Sequence, residues 1–400
     1  MLPSPAMSHP ARWAGGYALV AAMLASVFTV AILTGPYRAV ERSDYMTYHM
    51  AARIVLDGHG SCLYDARCQS DAQLELIGEE PSFKEGALPY NSPPWLAALA
   101  VPLGLLPLSV GFAIFTLLGL LVLAWGTWRA MGVRWPASAR ILAVVLVLTA
   151  WPTAMAAIRG QSTLIVVGLL GLSVGLSRAR SGLALGLSAL KPTLAPLWAV
   201  WQVVGGHWRA VGAAAAVAAG LVALSLAVVS PQALIDYPGH LVGLSGQDVA
   251  GVHPAEMVNW RGAAERLGGG PGLVIAGSVA TLGLVAFAWR RSSSRHLGAA
   301  AAFLATPLVI PHANQHEFVL AALGILVAVV AVPQMRGWLA TLAIGTHALL
   351  WAGAVADAEV GAWLLFSAEL AWLLIVVWLS GVNSRAERPG DVPLPTDASE

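Results

Sequence analysis

The chain has 400 residues, 58% of them hydrophobic and 11% charged, with a formal net charge of +1 and a mean hydropathy of +0.72. Soluble domains carry about 25% charged residues, so this composition excludes an ordinary water-soluble fold and calls for lipid-facing surface. Near-neutral charge offers no polybasic face for nucleic acid, and no glycine-rich phosphate loop or dinucleotide fingerprint occurs.

Apolar stretches recur from end to end, near 13–34, 108–127, 141–157, 162–177, 208–229, 271–289, 297–310, 317–333, 337–355 and 360–380. A helix needs roughly 20 mostly apolar residues to cross the hydrocarbon layer, so the pattern predicts an all-α polytopic membrane protein of about 10–12 spans. The first stretch follows Arg12 without a small-residue cleavage site and reads as a retained signal anchor. Two shorter apolar pieces, 93–106 and 181–204, are interrupted by proline or lysine. Counting both as full spans places Arg129, Arg134, Arg140, Arg178 and Arg180 outside. Reading 93–106 as a half-span and 181–204 as a hairpin turning at Lys191-Pro192 returns those arginines to the cytoplasm. The second topology is the one adopted. It brings Arg159, Gln161 and Lys191 to the outer face and makes residues 1–382 one membrane-embedded domain, with a disordered cytoplasmic tail at 383–400. Arginine almost to the exclusion of lysine, in an alanine- and valine-rich chain, matches a GC-rich bacterial genome, and hence a bacterial inner membrane.

Two long polar interruptions, 35–91 and 231–270, are the places to seek chemistry, because membrane enzymes carry it in loops on a rigid frame. In the first, Ser43 or Asp44 can cap a helix of about four turns ending at Gly58. Tyr45 and Tyr48 on adjacent turns suggest an amphipathic helix lying along the membrane surface. Asp44 therefore has two readings, a helix cap or a general base at headgroup depth. Cys62 and Cys68, the only cysteines, share this loop, and an oxidising compartment favours a disulfide between them. Lys191 inside an apolar segment either snorkels or faces a polar cavity. Arg159 with Gln161 forms a second polar cluster, and as a bare flank it would merely obey the positive-inside rule. His312 and His316 would lie one helical turn apart, beside Glu317, if the segment after Pro311 is helical; the stretch is not His-Glu-x-x-His. The first loop contains no Asp-x-Asp motif, so no metal is expected.

The order Asp44, Tyr48, Ala52, Gly58, Leu63-Tyr64-Asp65, Gln69 and Tyr90 to Trp95 resembles glycosyltransferase family 87, the polyprenyl-phosphate-mannose-dependent mannosyltransferases. The likeness continues through Arg159-Gly160-Gln161, Leu190-Lys191-Pro192-Thr193, His207-Trp208-Arg209-Ala210, Asn259-Trp260-Arg261-Gly262 and Pro307 to His316. It implies a type C glycosyltransferase fold with a long first extracytoplasmic loop. It further implies a lipid-phosphate-linked sugar donor, no cofactor, inversion at the transferred carbon and a lipid-linked or cell-envelope glycan acceptor. On this resemblance Asp44 is the catalytic base. Lys191, His312, His316, Arg159 and Gln161 surround the donor phosphate, and Tyr48, Tyr90, Asn91, Asn259 and Arg261 line the substrate pocket. Trp260, Arg261 and Ser162 depart from the family pattern. A secondary transporter or lipid-carrier flippase, the rival class, would show internal repeats and paired broken helices; the sequence shows no repeat.

Overall fold

The computed structural model describes residues 38–78, 87–133, 135–244, 253–292, 294–354 and 358–386, so the first apolar segment, Lys84, Arg134 and residues 387–400 lie outside the described residues. The regular elements among them are all helices, with no strand. After a short turn at Arg38–Glu41 come α1 (Asp44–Leu56), α2 (Ala66–Ile77), α3 (Pro94–Gly104), α4 (Leu108–Ala130), α5 (Ala137–Leu148) and α6 (Trp151–Ile158). Next are α7 (Thr163–Gly175), α8 (Arg178–Leu187), α9 (Pro196–Val204), α10 (Trp208–Val228), α11 (Pro231–Leu244) and α12 (Trp260–Leu267). The chain closes with α13 (Gly270–Arg291), α14 (Arg295–Val309), α15 (Phe318–Ala331), α16 (Arg336–Ala354) and α17 (Ala358–Ala386). Helix α17 runs past residue 383, where the disordered tail was expected to begin.

Four described helices are long and apolar enough to cross a membrane: α4, α10, α13 and most of α17. Two bent pairs, α5 with α6 at 55° and the 315–331 segment with α16 at 100°, bring the count to six. The first expected span lies outside the described residues, and proline and polar turns break several of the other apolar stretches into shorter helices. The chain is a multi-pass membrane protein. As expected, residues 94–104 form only a half-length helix, and 181–204 is interrupted, by two tight turns at Ser188–Leu190 and Pro192–Leu194 that bracket Lys191.

The centre of the molecule is a hairpin, with residues 297–308 of α14 and 318–330 of α15 buried on all sides, and α7 is equally enclosed. A helix apolar all round belongs in lipid or in a core, and these three are enclosed by protein. Helix α7 packs on α4 through glycines: a β-carbon on Gly168 would meet the Val122 carbonyl oxygen at 2.4 Å, and one on Gly126 the Gly168 oxygen at 2.0 Å. In lipid, where apolar area gives no drive to associate, such close backbone approach supplies the van der Waals contact that holds helices together.

This packing separates two ends of the molecule. Gly175 touches the Arg129 backbone, the Arg295 guanidinium donates to Ser173 O and Ser181 Oγ, and the Arg140 guanidinium donates to Trp128 O while stacking on its ring. The opposite end of α4 meets α1, since a β-carbon on Gly111 would strike the Tyr45 hydroxyl. At 1.5 Å per residue the 23 residues of α4 hold these ends about 33 Å apart.

Helix α1 is not the surface helix expected from its tyrosines. Residues 45–52 are all buried, packed under α3 and α4, with Tyr45 against Phe112 and Phe115 at 5.8 and 5.4 Å between ring centres. The surface position belongs to α2, capped by Asp65, whose carboxylate accepts from the backbone of Arg67 and Cys68. Gln69 and Gln73, one turn apart on its inner face, bind the backbone of Leu63, Leu88 and Tyr90 and so close the first loop on itself. Cys62 and Cys68 are joined as a disulfide in the same loop.

The α4–α7 contact leaves no room for side chains. Gly168→Val is expected to lower stability by about 1–3 kcal/mol, as overpacking does. Gly212→Val, where nothing lies within 4 Å, should be near neutral. Thermal unfolding of the two purified variants provides the comparison.

Candidate active site

Four chain segments meet at the end of the bundle remote from the arginines: the start of α1, the 159–163 turn, the Lys191 turn and the 310–317 connection between the two central helices. The first contact is made by glycine. Gly160 has φ 60°, a backbone conformation costly for residues with a β-carbon, and a β-carbon there would lie 2.6 Å from Tyr45 Cβ and 2.9 Å from the Phe112 ring. The turn therefore presses on α1, Tyr45 N–H donates to Arg159 O at 3.1 Å, and Gln161 is delivered to Asp44.

Asp44 opens α1 yet does not cap it. The N-cap position is Ser43, whose hydroxyl donates instead to Val40 O at 2.6 Å, and no side-chain cap bond forms. Asp44 Oδ2 accepts from Gln161 Nε2 at 2.6 Å, while Oδ1 has no hydrogen-bond partner among the described residues. Gln161 Oε1 in turn accepts from Lys191 Nζ at 3.2 Å and from the Tyr48 hydroxyl at 3.3 Å, with Ser162 Oγ 3.4 Å from that hydroxyl. Lys191 also donates to Thr163 Oγ1 at 2.9 Å and pairs with Glu317 Oε1. His316 Nε2 lies 2.9 Å from the same Glu317 oxygen. A continuous polar chain thus runs Asp44, Gln161, Lys191, Glu317, His316.

Glu317 is 2% exposed, and its second oxygen accepts from Asn314 N–H at 2.8 Å, completing a capping box at the head of α15. It is the member of the polar chain to which motif reading gave no role. Its signal was present as Asn-x-x-Glu ahead of an apolar run, the pattern of a helix start. Thr163, at the start of α7, carried no comparable signal.

The remaining expected residues divide. His312 and His316 do not share a helical face: residues 310–314 are irregular and the helical turn starts at Gln315, because Asn314 supplies the cap there. His312 instead pairs its ring with Asn314 Nδ2 at 3.2 Å, within electrostatic reach of Lys191, Glu317 and Arg261. Asn259 is buried and spends both ends of its amide on backbone, accepting from Gly262 N–H and donating to Ile310 O. With Val258 N–H bonded to Ala313 O at 2.8 Å, it fastens the Arg261 turn beside His312. Arg159 is exposed, and its backbone holds the turn, its N–H donating to Met155 O and its carbonyl accepting from Tyr45 N–H. Tyr90 is wholly buried between Tyr48 and Tyr64, its hydroxyl on Pro93 O, so it supports the site without lining it. Asn91 lies further out, 3.2 Å from His240 Nε2. No three histidine, cysteine, aspartate or glutamate side chains come together as metal ligands among the described residues.

Removing Glu317's charge while keeping its shape leaves Lys191 without its counter-ion. Glu317→Gln should cost roughly 2–3 kcal/mol, below the full range for a buried pair because Lys191 reaches solvent. Adding Lys191→Met to it should recover part of the loss. Thermal unfolding of the two single variants and the double variant measures the coupling.

The sequence profile of glycosyltransferase family 87 matches residues 90–311, a segment that contains Gln161, Lys191, Asn259 and Arg261 and adjoins His312, His316 and Glu317. A curated relative is the polyprenol-phosphate-mannose-dependent alpha-(1-2)-phosphatidylinositol pentamannoside mannosyltransferase of Mycolicibacterium smegmatis, 28% identical over 288 residues. The alignment covers 68% of this chain and 65% of that protein's length. No solved structure matches the chain. With the matched segment extending over more than half of its residues, the chain belongs to glycosyltransferase family 87.

Proposed function

We propose that the protein is a polyprenyl-phosphate-sugar-dependent glycosyltransferase, a mannosyltransferase by its relative's donor, acting on a lipid-linked or cell-envelope glycan. The observation that carries this reading is the polar chain itself, which sets a carboxylate with one free oxygen near the Lys191–Glu317 pair and its histidine at a single end of a lipid-facing bundle. Asp44 Oδ1 takes the proton of the acceptor hydroxyl. The hydroxyl oxygen bonds to the sugar's anomeric carbon from the face opposite the phosphate, with inversion. The carbon–oxygen bond to phosphate breaks, and its electron pair leaves with polyprenyl phosphate. Lys191 and His316, with His312 and Arg261 alongside, stabilise the charge that grows on that phosphate. The reaction needs no metal ion and no cofactor. Residues 1–382 act as one domain.

The site faces away from the cytoplasm of a bacterial inner membrane. Support comes from the arginines gathered at the other end of α4, which the positive-inside rule assigns to the cytoplasm. In a background lacking Cys62 and Cys68, cysteines replacing the exposed Ala137 and Ala179 should resist impermeant thiol reagents in intact cells, while one replacing Asn91 should react. Labelling of 137 and 179 with protection of 91 would reverse the orientation.

Purified protein offered a panel of radiolabelled polyprenyl-phosphate sugars should transfer mannose, and EDTA should leave the rate unchanged. Asp44→Asn should reduce turnover by about 10²–10⁴-fold at matched thermal stability, the usual worth of a general base. Turnover close to wild type in that variant would remove Asp44 from the chemistry, and failure of every donor would remove the transferase reading.

A further inference from the structure

The side-chain amide of Gln161 has one orientation that satisfies its neighbours. Its nitrogen donates to Asp44 Oδ2 at 2.6 Å, and its oxygen accepts from Lys191 Nζ and the Tyr48 hydroxyl at 3.2 and 3.3 Å. Turned over, it would set oxygen against a carboxylate oxygen and N–H against an ammonium, so the two flanking charges decide its direction. The side chain is confined as well as oriented: it is 7% exposed and follows Gly160, whose positive φ and close packing on Tyr45 and Phe112 fix the backbone.

The family expectation places Gln161 among the donor-phosphate contacts. An amide acts on phosphate by donating N–H; its nitrogen carries two hydrogens, and in this structure Nε2 is held 2.6 Å from Asp44 Oδ2. Its oxygen is an acceptor and has nothing to offer an anion. With Nε2 held at the carboxylate and Oε1 facing the Lys191 ammonium, the amide is directed at Asp44 and the lysine.

We propose that Gln161 is a positioning residue of the transfer reaction, holding Asp44 by Oδ2 so that Oδ1 remains free for the acceptor proton, and tying that carboxylate to the Lys191 ammonium beside the donor phosphate. This inference rests on Asp44 acting as the base. Charged and titratable groups around the amide are Asp44 and Tyr48 on α1 and Lys191 on its turn, with Glu317 and His316 behind the lysine. Loss of the tether frees the carboxylate to rotate, and small misplacements of a reacting group are expensive in rate.

Two variants separate this role from the alternatives. Gln161→Met keeps the length and loses both hydrogen-bonding ends. It should lower kcat about 10²-fold, the scale of a misplacement near 1 Å, while KM for polyprenyl-phosphate mannose and the thermal midpoint stay near wild type. Gln161→Glu keeps the shape and adds a second carboxylate beside Asp44, which disfavours the charged base. The acid limb of its kcat–pH profile should move upward, by about one pH unit. Wild-type kcat in Gln161→Met, or a raised donor KM with kcat intact, would overturn the proposal, the second by making Gln161 a phosphate contact. Activity lost only in step with folded protein, with the acid limb unmoved in Gln161→Glu, would reduce the residue to a structural one. Wild type inactive with every polyprenyl-phosphate sugar would defeat the transferase reading and this inference together, whereas an active wild type with a silent Gln161→Met defeats the inference alone.

Discussion

A carboxylate at the head of a helix buried on every side is tolerable only if its charge is answered, and Glu317 is answered three times. Lys191 and His316 share one of its oxygens, and the Asn314 amide takes the other. Solvating the ion in this way offsets the several kcal/mol that burying a charge costs. The consequence is positional. Because Glu317 cannot move without dragging α15 out of its cap, the Lys191 ammonium is pinned to the top of the central hairpin. Gln161 and Asp44 are then ordered from that fixed cation outward.

The frame beneath the pair makes it reproducible. Glycines on α4 and α7 bring two backbones into contact, so the start of α7, with Gln161, Ser162 and Thr163 at its tip, has one height relative to α1. Trp95 Nε1–H donates to Ala189 O at 2.8 Å and ties the Lys191 turn to the start of α3. The tip of α6 is fixed to the same platform, where Trp151 Nε1–H donates to Gln315 Oε1 at 2.9 Å. Loops that would wander in isolation are thus held by hydrogen bonds at the exact places where they carry polar side chains toward one another.

Much of this was legible in the sequence, for reasons that differ residue by residue. Lysine in an apolar stretch next to proline is costly enough to signal a polar partner, and the partner exists. Asp44, Gln161, Lys191 and His316 were named from separate motifs, and the fold joins them. Spacing misled where it stood in for packing. The tyrosines of α1 suggested a helix lying on the membrane, yet they are core residues, since α3 and α4 cover both sides of that helix. The four-residue interval from His312 to His316 suggested a shared face, and Asn314 interrupts it by starting the helix between them. Glu317 was placed beside the histidines but given no role, because its pairing depends on a lysine 126 residues earlier, which no local pattern records. Hydropathy counted apolar stretches, not unbroken helices, and so could not tell α4 from the short half-helices around Lys191.

That same separation along the chain has a bearing on how the protein is made. Asp44 and Gln161 are 117 residues apart, and Lys191 and Glu317 are 126 apart. During synthesis the aspartate, the amide and the lysine are all inserted before the glutamate leaves the ribosome. At some 5–20 residues per second, the lysine waits roughly 6–25 seconds in a half-built bundle with no counter-ion. Over that interval the side chains already in place for the lysine are Gln161 and Thr163, so the amide and the hydroxyl hold the ammonium before its own carboxylate arrives.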